Sequence, residues 1–326
     1  MDRFQRNTWR LCIAACVVLT AAAAAATDNY PAKPGRLILP SGAGASADIM
    51  GRIFSQRFSE AWGQPLVVDN RAGAAGIIGT EVAARAAPDG YTLYNYGIGQ
   101  SVAPALHKKL PYDHLRDFTL ISTYAMTPNL LTVTPSLGIS NVQEFISAAK
   151  GSPGQFKYAS NGVGGTPHLT MELFKVATGI DLVHVPYKNS SQGFTDVAGG
   201  QMQACFFTLP GLLPFVKAGR MRALAVSSAK RAEQLPNVPT VIEAGVPDFD
   251  VTVWQGFAVP RGTPQNYVAK IYAAMMKALA MPELKQRFFE NGVAAAPMTP
   301  GEFTKFVTVE TAKWQRAVTV SGLKSE

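Results

Sequence analysis

Cysteine is scarce in this chain of 326 residues: there are three, and two of them, Cys12 and Cys16, fall within the first 26 positions. Cys205 then stands alone, so no disulfide can form within the rest of the chain. Its setting, Gln203-Ala204-Cys205-Phe206-Phe207, reads as a small buried hydrophobe rather than a nucleophile. Charge is also sparse, 16% of residues, against 47% hydrophobic. Ordinary soluble domains carry roughly 25% charge, so a disordered chain and a charge-laced coiled coil are both excluded. Four histidines, His107, His114, His168 and His184, show no zinc spacing, and no metal is expected. The net charge of +8 is spread without a basic run, and no zinc-finger or RNA-binding signature is present, so nucleic acid is not an expected partner. Beyond the N-terminus no apolar stretch reaches membrane-span length.

The N-terminus itself has three regions. Arg3, Arg6 and Arg10 precede an apolar stretch from Leu11 to Thr20, and Ala24-Ala25-Ala26 supplies small residues before Thr27. This is the pattern of a secretory signal peptide over residues 1–26, and it predicts an exported, periplasmic protein. A lipoprotein reading of Ile13-Ala14-Ala15-Cys16 competes, but it leaves a short apolar stretch before Cys16 and an alanine tract after it. There is no twin-Arg pair, so the chain is expected to cross unfolded, without a nucleotide acquired beforehand.

From Arg36 onward the chain alternates between strand-length apolar segments and helix-period stretches: Arg36 to Pro40, Asp48 to Trp62, Pro65 to Asp69, Gly76 to Ala87, Tyr91 to Tyr94. Such alternation predicts parallel strands with crossover helices. A second series begins at Asn129 to Thr134. Ser140 with Gln143 is expected to cap a helix; Lys157 to Ser160 and Leu182 to Pro186 are expected as strands, and Pro167 to Thr178 as a helix. Three helices close the chain, opened by Thr263-Pro264, Pro282 and the capping box Thr299-Pro300-Gly301-Glu302. Two α/β units without a Gly/Ser or charged linker predict two lobes, 27–126 plus 254–326 and 127–253. Short extended crossings near Tyr124 to Asn129 and Val251 to Trp254 would join them into a hinged cleft.

Two glycine-rich helix entries are the candidate site. Ser41, Gly42, Ala43, Gly44, Ala45 and Ser46 follow the first strand, and Asn161, Gly162, Val163, Gly164 and Thr166 follow a strand of the second unit. Glycines let backbone N–H groups approach an anion at the positive end of a helix. Gly42 to Ala47 also fits G-x-G-x-x-A, and Asp69 ends a strand about 20 residues further on, so a nicotinamide oxidoreductase is a rival reading. A carboxylate cradle and a purely structural turn are the others. Thr166 is expected to cap its helix with Pro167 in the first position. Further entries, Asn70 to Gly76 and Asn189 to Gln192, repeat the theme, so four backbone-rich termini split between two lobes imply a solute held mainly by amide donors. Gly44-Ala45-Ser46-Ala47-Asp48 lacks the closing glycine of a nucleophile elbow, and no catalytic residue is expected. Asp48 is open to two roles, solute contact or a favourable acid in the first helical turn, and Arg71 to two, carboxylate attraction or a loop ion pair. His168 with Glu172 reads as a helix-surface pair. Tyr187 is preferred over Lys188 as a lining residue.

Several ordered blocks resemble one family: Tyr30 to Pro40, Val68 to Gly76, Pro88 to Leu93, His184 to Lys188, Ala218 to Val226, Leu235 to Gly245 and Trp254-Gln255-Gly256. They are similar to the Bug-type receptors of tripartite tricarboxylate transporters, from Tyr30 to about Trp314. The resemblance implies an α/β, two-domain periplasmic binding protein of Venus-flytrap, type II-like form, with a parallel-rich sheet and flanking helices in each lobe. It further implies a monomer, without cofactor or enzymatic activity, that closes on a small carboxylate and serves membrane subunits of a transporter; a sensor role is the alternative. The two loops, Ser41 to Ser46 and Asn161 to Thr166, would be the pincers. Ser41 stands where the family commonly has an aromatic, Ala45 where it has a second glycine, Asn189 where glycine is frequent, and Phe207 where an acid is often found. Phe207 beside Tyr94 and Tyr96 is therefore expected to favour a flatter or more apolar solute.

Overall fold

The computed structural model describes residues 29–188 and 190–320; the expected signal peptide and Asn189 lie outside the described residues. The first unit runs β1 (Gly35–Leu39), α1 (Ser46–Trp62), β2 (Leu66–Asn70), a 3-10 turn (Ala74–Gly76), α2 (Ile77–Ala84), β3 (Thr92–Gly97) and α3 (Ile98–Leu106). Then come β4 (Phe118–Val133), α4 (Val142–Gly151), β5 (Lys157–Ser160), α5 (Thr166–Thr178), β6 (Val183–Pro186), α6 (Ser190–Ala198), β7 (Ala204–Thr208), α7 (Leu209–Lys217) and β8 (Arg222–Val226). The chain returns through β9 (Thr252–Pro260) and ends with α8 (Gln265–Ala280), α9 (Pro282–Glu290) and α10 (Pro300–Val320).

The strands form a nine-stranded mixed sheet in the order β2-β1-β3-β9-β4-β7-β5-β6, with β8 on the other edge of β4. The expected short crossings are parts of two long strands. β4 pairs antiparallel with β9 from Phe118 to Pro128, then with β7 from Asn129 and with β8 from Leu130. Strand direction decides where the loops go. β1, β2 and β3 are mutually parallel and, through antiparallel β9, run the same way as β4; β7 is antiparallel to β4, and β5 and β6 follow β7. The carboxyl ends of the parallel strands in the two halves therefore point at each other. Gly97, at the end of β3, is level with Gln255 and Ala125, while Thr208, at the end of β7, is level with Asn129. At 3.2–3.4 Å per residue the two sets of strand ends are about 13 Å apart along β4. Ligands of open α/β sheets bind at such strand ends.

Aromatic rings fill both sides of the crossing strands, and one buried cluster runs from Tyr94 and Phe118 through to Phe174 and Phe206. In α1, Phe54, Phe58 and Trp62 recur every four residues and so share one face; Phe54 stacks on Tyr124 at 4.5 Å and meets Phe257 edge-on at 5.2 Å. In the other half Phe145, Phe174, Phe206 and Phe249 interlock. α10 lies along α3 and reaches α5, so the last helix touches both halves.

Local signals differ from expectation in three places. The cap of α4 is Asn141, whose Oδ1 accepts from Glu144 N, while Glu144 accepts from the backbone N–H and hydroxyl of Ser140. Ser140 thus assists rather than caps. Gly165, not Thr166, is the N-cap of α5, which moves Pro167 to the second position. Phe207 lies far from the Tyr94–Tyr96 pair: it packs edge-on against Phe194 at 4.7 Å in the second half, whereas Tyr94 and Tyr96 meet Phe118 in the first. The Thr299 capping box forms as expected, with Thr299 N and Oγ1 donating to Glu302 and Glu302 N returning a bond.

Candidate functional site

The two glycine-rich loops emerge from opposed strand ends with the same backbone form. Gly44 has φ +78° and Gly164 φ +74°, a region in which glycine is favoured because it has no Cβ. The next residues are extended N-caps, Ala45 at φ −69°, ψ 158° and Gly165 at φ −66°, ψ 154°. Ala45 N donates to Gly42 O and Gly165 N to Gly162 O, both at 3.3 Å; Ile49 N donates to Ala45 O and Leu169 N to Gly165 O, both at 3.0 Å. In each loop the amide of the left-handed glycine donates to the side chain four residues on: Gly44 N to Asp48 Oδ2 at 2.9 Å, Gly164 N to His168 Nδ1 at 3.0 Å.

Neither Ala45 nor Gly165 caps its helix with a side chain, whereas Asn141 does so for α4. The first-turn amides of α1 and α5 thus have no N-cap side chain bonded to them among the described residues; in α5 they come from Thr166 and His168, because Pro167 has no N–H. The positive helix ends favour an anion. The tips are accessible: Gly42, Ala43, Gly44 and Asn161 are exposed, open space surrounds the Cα hydrogens of Gly42, Gly44 and Gly162, and Val163 is 66% exposed. Gly164 instead sits against Leu106 of α3, where a Cβ would lie 2.5 Å from a methyl group.

Asp48 braces the first loop from below. It is buried, and besides Gly44 it accepts from Arg52 Nε and Asn70 Nδ2, both at 2.9 Å; Asn70 Nδ2 also donates to Ser41 O at 3.0 Å. Burial pushes its carboxyl up, but the bonds from Arg52, Gly44 and Asn70 and the Arg52 charge outweigh it, and the net shift is below the ordinary value of 3.8. Ser41 Oγ is shielded and meets no hydrogen-bond partner among the described residues. On the second loop Asn129, in the crossing part of β4, donates to Thr170 Oγ1, which donates to Thr166 O, tying the crossing strand to the first turn of α5.

Tyr96 and Phe207 fall away from the loops, whereas Tyr187 stays beside the second one, its N donating to Ser160 O at 2.9 Å. Tyr96 is fully buried, stacks with Trp254 at 6.1 Å and donates its hydroxyl to His114 O at 2.9 Å. Phe207 is core. Tyr187, half-buried, donates its hydroxyl hydrogen to Asp196 Oδ2 at 2.6 Å. His168 is buried rather than on the helix surface, and Glu172 accepts from Tyr158 and Lys175. Arg71 forms the loop ion pair with Asp69 at 3.0 Å, and Arg36 approaches the same carboxylate at 3.6 Å. The nucleotide pattern needs that carboxylate for a ribose, and here two guanidinium groups hold it. Tyr96→Phe should leave solute affinity unchanged and lower unfolding free energy by about 1 kcal/mol, the size of one hydrogen bond, in denaturant titration.

Further polar groups lie at or near these strand ends. Thr208, one residue past Phe207, ends β7 and begins α7. At the end of β3, Gly97 N donates to Gln100 Oε1 at 2.8 Å, and a buried network runs from Gln255 through Asn95 to Tyr124. A separate hollow of about 590 Å³ opens at the crossing strands between Met126–Pro128, Ser228–Gln234 and Gly292–Ala295; neither loop lines it.

The chain is similar to known proteins over most of its length. A profile of the tripartite tricarboxylate transporter family receptor, TctC, matches residues 50–323. The chain is 33% identical over 308 residues to protein BugT of Bordetella pertussis, covering 93% of this chain and 94% of that protein. A solved R. palustris protein with adipate is 34% identical with a TM-score of 0.85, covering 90% of this chain and 99% of that one. MatC of Rhodopseudomonas palustris with bound malate is 27% identical with a TM-score of 0.80, covering 89% and 100%. The expected α/β binding-protein fold is the one these structures share. The profile match and the sequence identity together place the chain in the tripartite tricarboxylate transporter receptor family.

Proposed function

We propose that this chain is an exported solute-binding receptor that holds a small carboxylate between two lobes and presents it to the membrane subunits of a tripartite tricarboxylate-type transporter. In this reading residues 1–26 direct export to the periplasm, and no helix among the described residues is long and apolar enough to cross a membrane. The lobes are 27–126 plus 254–326 and 127–253, turning about the paired strands β4 and β9. The molecule acts as a monomer, and its work is binding rather than catalysis.

The observation that carries the reading is the matched pair of uncapped helix entries on opposed strand ends, Ser41 to Ser46 and Asn161 to Thr166. A solute with an acidic group at each end would meet one positive helix terminus in each lobe. Contact with both loops exists only when the lobes are together, so the solute favours the closed state by its differential contacts. Ala43 and Val163 at the tips offer apolar contact to the middle of such a molecule. The related proteins solved with adipate and malate make dicarboxylates the first compounds to try.

Isothermal calorimetry with adipate and malate is the test. Helix-end contacts are each worth roughly 0.3–1 kcal/mol when exposed and more when desolvated, so several together support binding near micromolar, about −8 kcal/mol. Absence of heat and of thermal stabilisation with both acids, alongside stabilisation by NAD, would replace this reading with the oxidoreductase one.

A further inference from the structure

The matched loops are braced by unlike acceptors. Asp48 is a carboxylate that stays ionised at and well below neutrality, because its net shift is downward. His168 accepts the Gly164 amide through Nδ1, and an imidazole nitrogen accepts only when it carries no proton; its other nitrogen is then the N–H. A proton on His168 turns that acceptor into a donor facing a second donor.

His168 does not act alone. Its ring stacks on His184 of β6 with centroids 4.0 Å apart, and His184 Nε2 lies 2.6 Å from Ser160 Oγ. Ser160 Oγ in turn accepts from Gly162 N at 3.1 Å. The stacked pair thus holds the loop at both ends, His184 through Ser160 at its start and His168 through Gly164 at its close. Tyr158 of β5 stacks on both rings, at 5.0 Å from His184 and 6.4 Å from His168. The charged neighbours are on α5 itself: Glu172, which favours a cation, and Lys175, which opposes one. α3 and α10 bring apolar Leu106, Trp314 and Ala317 to the core that α5 shares. Burial is the largest influence and holds His168 below its ordinary 6.5; His184 is pushed down by burial and by His168 to about 4.

We propose that His168 is a positioning residue that makes the second loop proton-sensitive: a proton on the stacked pair expels the Gly164 amide from Nδ1 and weakens capture of an acidic solute, while the Asp48-braced loop keeps its shape. The consequence for affinity rests on the receptor reading. Its direction comes from the acceptor role. The competent loop requires neutral His168, so affinity is full near neutrality and falls once pH drops below 6.5 toward the folded pKa of the pair.

Two measurements test it between pH 7.5 and 4.5. The first follows the Gly164 amide and the His168 ring of the solute-free wild type by NMR, and needs neither a variant nor a ligand. The amide and the ring are expected to move together, with a midpoint below 6.5; an amide that does not follow the ring overturns the proposal. The second titrates adipate calorimetrically into wild type and His168→Asn, whose Oδ1 stands in for Nδ1 as an acceptor that does not titrate. Affinity in wild type should fall about tenfold more than in the variant across the range. The solute's own protonation affects both proteins alike and cancels. Equal pH slopes overturn the proposal. A titrating amide in a protein that binds adipate at no pH would instead count against the receptor reading and leave the proton-sensitive loop standing.

Discussion

Gly164→Val should weaken dicarboxylate binding about a hundredfold, and Gly44→Val about tenfold, in calorimetric titration. Both glycines have φ near +75°, where a β-branched residue pays in backbone strain, roughly 1–2 kcal/mol. At 1.4 kcal/mol per tenfold, that strain alone gives about a tenfold loss if the loop relaxes by abandoning its binding form. Gly44 has open space around it, so nothing more is added. Gly164 is different: the new Cβ would strike Leu106 at 2.5 Å, and Leu106 belongs to α3 of the opposite half. Valine there must push the second loop off the first lobe as well as strain it. Gly138→Val is the control, because Gly138 also has positive φ, +68°, with nothing near its Cα hydrogens, and lies after the β4 strand rather than at a gap-facing loop. It should lose stability and keep affinity. Unchanged affinity in both loop variants would remove the two-loop pincer from the account.

How far the sequence foretold this arrangement depends on how local each signal is. β1, α1, β2 and β5 were legible because a change from strand period to helix period lies within a few residues of chain. α3 was not: Ile98–Leu106 is short, begins immediately at the end of β3, and has Pro104 in its last turn, a residue that normally argues against helix interiors. The Ser140 cap was displaced by one position because Ser140 and Asn141 are both capping types and only the position of Glu144 decides between them. Phe207 failed for another reason. β7 is buried on both faces, so the period of two that would tell inward from outward carries no contrast. The His168–His184 stack joins α5 to β6, and the Asp48–Asn70 bond joins α1 to β2. Neither leaves a mark in the local pattern; what the pattern did carry was the pair of glycine-rich helix entries.

Asp48→Ala should lower the unfolding free energy by about 2–3 kcal/mol and abolish tight solute binding, even though the carboxylate need not touch the solute. Removing one acceptor strands three donors: the Gly44 amide, Arg52 Nε and one hydrogen of Asn70. A buried donor left unpaired costs about 1–3 kcal/mol. Arg52 is 51% exposed and Gly44 sits at an exposed tip, so both recover water, and the penalty falls mainly on Asn70. Asn70 also holds Ser41 O, so both ends of the first loop loosen together. Asp48→Asn tests the chemistry more sharply, since the shape is kept. Its single Oδ1 serves one or two of the three donors while its NH2 faces the rest, so it should fall between wild type and alanine in stability but near alanine in affinity. The pH dependence has a definite sign. A carboxyl held below its ordinary 3.8 in the folded protein contributes stability that is present above that value and lost as pH falls through the folded one. Denaturant midpoints measured from pH 6 downward should therefore show a decline below pH 4 in wild type that is shallower in Asp48→Asn. Parallel declines would mean that the carboxylate is not held by the loop amide, and the likeness between the two loops would then be one of backbone shape alone.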